Sequence, residues 1–171
     1  MFVALHNFCA TDLSAFYFDV RKDVFYCDAA NSTHRRAARS VLDTLFHCLT
    51  VWFAPILCFT AEEAWLQRFP GETESVHRRQ FVDVPDAWRD DALAAKWQTI
   101  RRLRRVVTGA LEVERREKRI GASLQAHPHV FATAADIAAL EGQDLAEISI
   151  ASAVTLVEGE GPADAFRLED V

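Results

Sequence analysis

Apolar residues open the chain at three- and four-residue steps, Phe2, Leu5, Cys9, Leu13 and Phe16. That spacing predicts one face of a helix running to about Phe18. From Asp19 to Thr33 the pattern breaks into a charged turn, and Asn31-Ser32-Thr33 is placed to cap a second helix starting near His34. Ala38, Val41, Leu42, Leu45, Leu49 and Trp52 would line the buried side of that helix, and Pro55, which lacks a backbone donor, should kink or end it. Thr60 and Glu63 have capping-box spacing, so a short third helix is expected up to Phe69, ahead of Pro70-Gly71. Pro85 and Asp90-Asp91 open a long fourth helix with the core stripe Leu93, Trp97, Ile100, Leu103, Val107 and Leu111. Carried to Gly121 it would be about 44 Å long at 1.5 Å per residue.

Beyond Gly121 the pattern changes. Val130-Phe131 reads as a short strand, Thr133 to Leu140 as a capped helix, and Ile148, Ile150, Val154 and Leu156 alternate as one or two further strands. Gly159, Gly161 and Pro162 mark a linker. The expected fold class is mainly α, a helix bundle over residues 1–121 with a small α/β appendage over 122–158 and a tail over 159–171.

Half of the 171 residues are hydrophobic and 26% are charged, which suits one well-packed core and excludes intrinsic disorder. The longest apolar run, Cys48 to Ala61, is broken by Pro55 and is shorter than the roughly 20 residues of a spanning helix, so no membrane segment is expected. Met1 leads straight into helical spacing without a targeting peptide, which makes the cytoplasm the default location and suggests a chain cut from something longer. Cys9, Cys27, Cys48 and Cys58 form no Cys-x-x-Cys pair and read as buried thiols.

Charge distribution alters this plain picture. The net charge is −6, yet residues 101–119 hold eight Arg and Lys against three Glu. One basic face on an acidic body fits a polyanionic partner. Arg101, Arg105, Thr108, Glu112, Arg115 and Arg119 fall on one stripe, and such a row can track a phosphate backbone. It can equally be a solvated surface in which Arg115, Arg116 and Lys118 pair with Glu112 and Glu114. Asp19, Arg21, Lys22 and Asp23, with Tyr17 and Tyr26 nearby, put cations beside aromatics, a combination suited to an unstacked RNA loop. Arg35, Arg36 and Arg39 form a smaller basic group with the same two readings. His127-x-His129 lacks a third ligand at a telling spacing, no metal site is expected, and no nucleophile is paired with a base. Trp52, Trp65, Trp88 and Trp97 fall on or beside expected core faces.

Several phrases in order carry a resemblance: Asp12-Leu-Ser-Ala-Phe-Tyr-Phe-Asp-Val-Arg-Lys-Asp23, Arg36-Ala-Ala-Arg39, Ala54-Pro-Ile-Leu-Cys-Phe-Thr-Ala-Glu-Glu-Ala-Trp65 and Glu117-Lys-Arg-Ile-Gly-Ala-Ser-Leu124. From about Phe2 to Val157 the chain resembles the anticodon-binding region of class I aminoacyl-tRNA synthetases, and the last phrase resembles the bacterial isoleucyl branch in particular. The resemblance implies an anticodon-binding bundle that positions isoleucine-accepting tRNA for ATP-dependent aminoacylation elsewhere. It implies Tyr17, Arg21 and Lys22 as contacts to the anticodon loop and Arg101, Arg105, Arg115 and Arg119 as contacts to the tRNA backbone. The family's His-Ile-Gly-His and Lys-Met-Ser-Lys-Ser phrases, its editing domain and its Cys-x-x-Cys zinc module do not occur here. The expectation is therefore a C-terminal fragment, without cofactor or catalytic residues, whose parent uses ATP and Mg, with Zn in members that carry the module. The valyl branch and a protein-docking helical domain without RNA binding stand as alternatives.

Overall fold

The computed structural model describes residues 2–167 and Glu169. The chain divides into two compact units, Met1–Trp88 and Arg89–Val171. No helix among the described residues is long and apolar enough to cross a membrane.

The first unit is helical. Helix α1 (Phe2–Asn7) passes into a π-helical stretch, Phe8–Phe18, and then into α2 (Asp19–Tyr26). The expected end at Phe18 and the charged turn at Asp19 are thus corrected: Arg21 and Lys22 lie inside a helix, and the turn falls between Cys27 and Ser32. Two physical causes explain the difference. The i→i+5 bonds of a π-helix place more residues in each turn, so a 3.6-residue pattern loses register across Phe8–Phe18. Val20 and Val24 then supply a new apolar face, both buried, which carries the helix onward.

Helix α3 (Thr33–Phe53) starts where the capping cluster indicates. Ser32 Oγ accepts from the Arg35 N–H at 3.3 Å and donates to Asp28 Oδ2 at 3.1 Å. Its buried residues are Ala38, Cys48 and Val51, whereas Val41 and Leu42 of the expected core side are exposed. Pro55 ends it as expected, and Leu57 N–H already returns to Phe53 O at 2.7 Å. Helix α4 (Cys58–Arg68) therefore begins directly after this turn with Leu57 at its cap. That leaves Thr60 inside the helix, and the Thr60/Glu63 capping box does not form. Val51, Ala54, Ala61, Trp65 and Val76 make the core here, with Phe46, Leu66 and Phe69 packed against it. Glu62 holds the Val76 segment by accepting from Val76 N–H at 2.8 Å and from Ser75 Oγ at 3.0 Å. Trp65 is buried, but Trp88 is 60% exposed, and Cys27 and Cys58 are exposed while Cys48 is buried.

The second unit is built on α5 (Asp91–Arg116), whose 26 residues span about 39 Å. Asp90 Oδ1 caps it by accepting from Leu93 N–H at 2.8 Å. Ile100, Leu103, Val107 and Leu111 are buried as their spacing predicts, and Leu93 is exposed. Strands β1 (His129–Ala132) and β2 (Thr155–Glu158) pair in parallel with His129 opposite Thr155, and α6 (Ala134–Ala139) and α7 (Leu145–Ser149) lie between them in sequence. Ile148 belongs to α7 and Ile150 to its left-handed cap, so the first half of the expected Ile148-to-Leu156 strand pattern is helical. Asp144, which accepts from Ala146 N–H at 2.8 Å, is the residue that starts this helix.

The long helix stops at Arg116, short of Gly121. Lys118 adopts φ 59°, with Arg119 N–H bonded to Glu114 O at 2.9 Å and Lys118 N–H to Arg115 O at 3.0 Å. This is a Schellman ending with a lysine where glycine is the usual occupant. The left-handed region costs a side-chain-bearing residue about 1 kcal/mol. Lys118→Gly is accordingly expected to raise stability by about 1 kcal/mol, read as a higher melting temperature; a lower one would contradict this account of the helix end.

Candidate nucleic-acid interface

In the first unit Tyr17 and Arg21, one helical turn apart, form a local pair. The Tyr17 side chain is half-buried with its ring 5.7 Å from that of Phe18. Burial pushes its hydroxyl above the usual tyrosine range, and the nearby Arg21 charge partly offsets this. The hydroxyl is therefore protonated at neutral pH and able both to donate and to accept. Arg21 Nη1 stands 3.1 Å from His34 Nε2, a contact that requires a neutral ring accepting from the guanidinium. His34 Nδ1 then faces Asp28 Oδ2 at 3.7 Å. Lys22 is exposed and has no ion pair among the described residues. The contacts from Arg21 in the first turn of α2 to His34 and from Asp28 to Arg35, whose Nη1 donates to Asp28 O at 2.7 Å, hold α2, the turn and the start of α3 together. The candidate residues near Tyr17 and the basic group at Arg35, Arg36 and Arg39 thus occupy neighbouring elements.

On α5 the arginines divide by partner. Arg102 pairs with Asp136 of α6, and Arg104 Nε donates to Ile148 O at 2.8 Å, so these two tie the helix to its own unit. Arg115 pairs with Glu112 and donates to Ser123 Oγ at 2.7 Å. Arg119 lies beyond the end of the helix, off the expected stripe, and pairs with both Glu114 and Glu117. These contacts hold the Glu114 carboxyl below the usual carboxylate range, the hydrogen bond from Arg119 being the main cause, and raise the already high Arg119 value further. Because the folded value of Glu114 is depressed, its contribution to stability is present above the ordinary Glu value, about pH 4.3, and is lost as acid titrates through the lower folded value. Arg105, Arg116 and Lys118 are exposed and have no carboxylate partner among the described residues. The basic face left for a polyanion is narrower than the sequence count implies.

His127 and His129 stand with ring centroids 5.6 Å apart, and His127 Nε2 lies 2.8 Å from Thr155 Oγ1, an arrangement that ties the segment just before β1 to the first residue of β2. Among the described residues no group of three His, Cys, Asp or Glu is placed to hold a metal ion. Sequence reasoning missed Arg68 of α4. Its Nη2 donates to Asp43 Oδ1 at 2.6 Å, 25 residues away, and no local pattern signals such a pair.

The family model described as the anticodon-binding domain of tRNA ligase matches residues 1–130. The isoleucine-tRNA ligase of Agrobacterium fabrum is 60% identical over 169 residues, which are 98% of this chain and 17% of that protein. The isoleucine-tRNA ligases of Bartonella henselae and Brucella abortus are 52% and 51% identical over the same lengths. The chain therefore spans about a sixth of the length of these curated relatives, and by the family match over most of its residues it belongs to the anticodon-binding domain family of tRNA ligases.

Proposed function

We propose that this chain binds the anticodon region of isoleucine-accepting tRNA and positions that tRNA for ATP-dependent aminoacylation in the cytoplasm by catalytic and editing domains of an isoleucine-tRNA ligase. The identity of 60% to a ligase of that specificity carries the reading. The chemistry of the candidate residues supports it. Tyr17 offers a protonated hydroxyl for a base edge, Arg21 and Lys22 offer charge for the adjoining phosphates, and Arg105 offers a guanidinium without a carboxylate partner among the described residues for the backbone, with Arg101 one turn before it and the carboxylate-paired Arg115 and Arg119 further along the chain. Recognition is the whole of this chain's chemistry in this reading. ATP and Mg serve the catalytic domain, and Zn serves those relatives that carry a further cysteine module. The protein-docking alternative puts the same cations against acidic side chains, and binding would then persist after ribonuclease treatment.

Titration of labelled isoleucine tRNA, valine tRNA and an anticodon-swapped isoleucine tRNA into the chain at low and moderate salt tests the proposal. Preference for the isoleucine anticodon is expected. Equal, salt-sensitive binding of all three would reduce the surface to a generic basic face. Arg21→Ala with Lys22→Ala is expected to weaken tRNA binding at least tenfold, since even one hydrogen bond to a charged group contributes about 1.5–3 kcal/mol. Unchanged affinity would remove α2 from the interface.

A further inference from the structure

Helix α3 carries Arg36, Arg39, Asp43 and Phe46 at steps of three, four and three, which places them along one side of the helix. With Ser40 and Leu42 from the same helix and Arg68 from α4, they line an open cleft of about 620 Å³. Its charges are unequally satisfied. Asp43 is taken up by Arg68, whose guanidinium also lies 5.5 Å over the Phe69 ring. Arg36 and Arg39 are exposed and have no carboxylate partner among the described residues. The cleft therefore holds two uncompensated guanidinium groups beside an apolar surface. Leu42 is 38% exposed, and the half-buried Phe46 ring is fixed by stacking on Trp65 at 6.3 Å with an interplanar angle of 17°.

We propose that this cleft takes a stretch of single-stranded RNA, with Arg36 and Arg39 on neighbouring phosphates and a base lying against Leu42 and Phe46; the proposal rests on the tRNA-binding reading above and adds a site to it. Guanidinium groups match phosphate oxygens bidentately. Residues three apart on a helix have Cβ atoms about 5–6 Å apart, of the order of the spacing between neighbouring phosphates along one strand. The flat face of an unstacked base suits the fixed apolar floor, which a carboxylate from an acidic peptide would leave unused. Ser40 supplies a hydroxyl at the same wall, although its Oγ already donates to Arg36 O at 3.1 Å and so offers the ligand an acceptor only. The tie between Arg21, in the first turn of α2, and His34 brings that turn against the start of α3, the helix that carries the cleft, so one strand leaving Arg21 and Lys22 has a charged path onward along α3.

The test uses the 171-residue chain and fluorescent seven-nucleotide single-stranded RNAs, one with the anticodon-loop sequence of isoleucine tRNA and one scrambled, titrated by anisotropy over a range of salt. Arg36→Ala with Arg39→Ala is compared with Arg78→Ala and Arg89→Ala, a pair that makes the same charge change outside the cleft. The cleft variant is expected to bind at least tenfold more weakly than the wild type, with the logarithmic salt slope smaller by about 1.4, the value for two phosphates on a single strand. Leu42→Ala is expected to weaken binding about threefold without altering the slope, which a purely electrostatic surface would not show. All four arginines are on the surface, and matching melting temperatures across the variants establish that folding is retained. If the cleft variant weakens no more than the charge-matched one while the wild type still prefers the anticodon sequence, the cleft proposal is overturned and the anticodon reading stands. If the cleft variant alone weakens but the wild type binds both RNAs equally, the cleft stands and the anticodon reading falls. Failure of the wild type to bind either RNA overturns both.

Discussion

Trp65→Ala is expected to cost the first unit about 3–5 kcal/mol, the range for emptying a buried aromatic site. Trp65 is 4% exposed at the centre of an aromatic group, its ring centroid 4.7 Å from Phe69, 5.3 Å from His47 and 6.3 Å from Phe46, with the Arg79 guanidinium 5.1 Å over it. Domains hold together by about 5–15 kcal/mol in total, so this one change removes a large part of the margin. Urea denaturation followed by far-UV circular dichroism measures it, and a loss below about 1 kcal/mol would show that these rings do not form the core. Trp65→Phe separates two effects. The indole Nε1 is buried and has no hydrogen-bond partner among the described residues, a defect that costs about 1–3 kcal/mol and that phenylalanine removes along with some volume. The Phe variant should therefore lose less than half of what the Ala variant loses. The same experiment bears on RNA recognition, because Phe46 leans on Trp65 and forms the floor of the cleft beside Arg36 and Arg39.

The elements legible in the sequence were those whose signals are local and regular. Helix α5 combines a 3.6-residue apolar stripe with an aspartate cap, and both operate as written in Ile100, Leu103, Val107, Leu111 and Asp90. At the chain's beginning the helix is legible and Leu13 is buried as its spacing predicts, but the end expected at Phe18 is not there, because Val20 and Val24 form a second buried face that carries the helix on to Tyr26. Ile148 and Ile150 alternate like a strand, but so short an apolar run fits either structure, and the Asp144 cap decides for helix. The candidate site shows the same division. Arg115 and Arg119 are neutralised by carboxylates within five residues, which spacing can reveal. The Arg102 pair with Asp136, the Arg104 bond to Ile148 O and the Arg68 pair with Asp43 join residues 34, 44 and 25 positions apart. Only tertiary folding creates them, and so only the structure separates the arginines that brace the fold from those left for a ligand.

Ile100 links that bracing to function in the second unit. It is 0% exposed, one of the largest fully buried side chains, and it belongs to α5, the helix against which α6 and α7 pack. Ile100→Ala is expected to cost about 3–4 kcal/mol, and Ile100→Val, which removes one methylene, about 0.5–1.5 kcal/mol. A graded series of this kind distinguishes a close-packed contact from a loosely covered one, where both changes would cost little. The position has a further consequence, because burial of Ile100, Leu103 and Val107 fixes the rotation of α5 and thereby turns Arg105 toward solvent. If the backbone-contact reading of Arg105 is right, Ile100→Val should keep the wild-type salt dependence of tRNA binding at temperatures where it remains folded. Ile100→Ala should lose affinity in step with its unfolding curve. Affinity that falls in the Val variant while its melting temperature holds would instead show that the helix rotates under the substitution, and that the basic face depends on this one side chain more finely than its stability does.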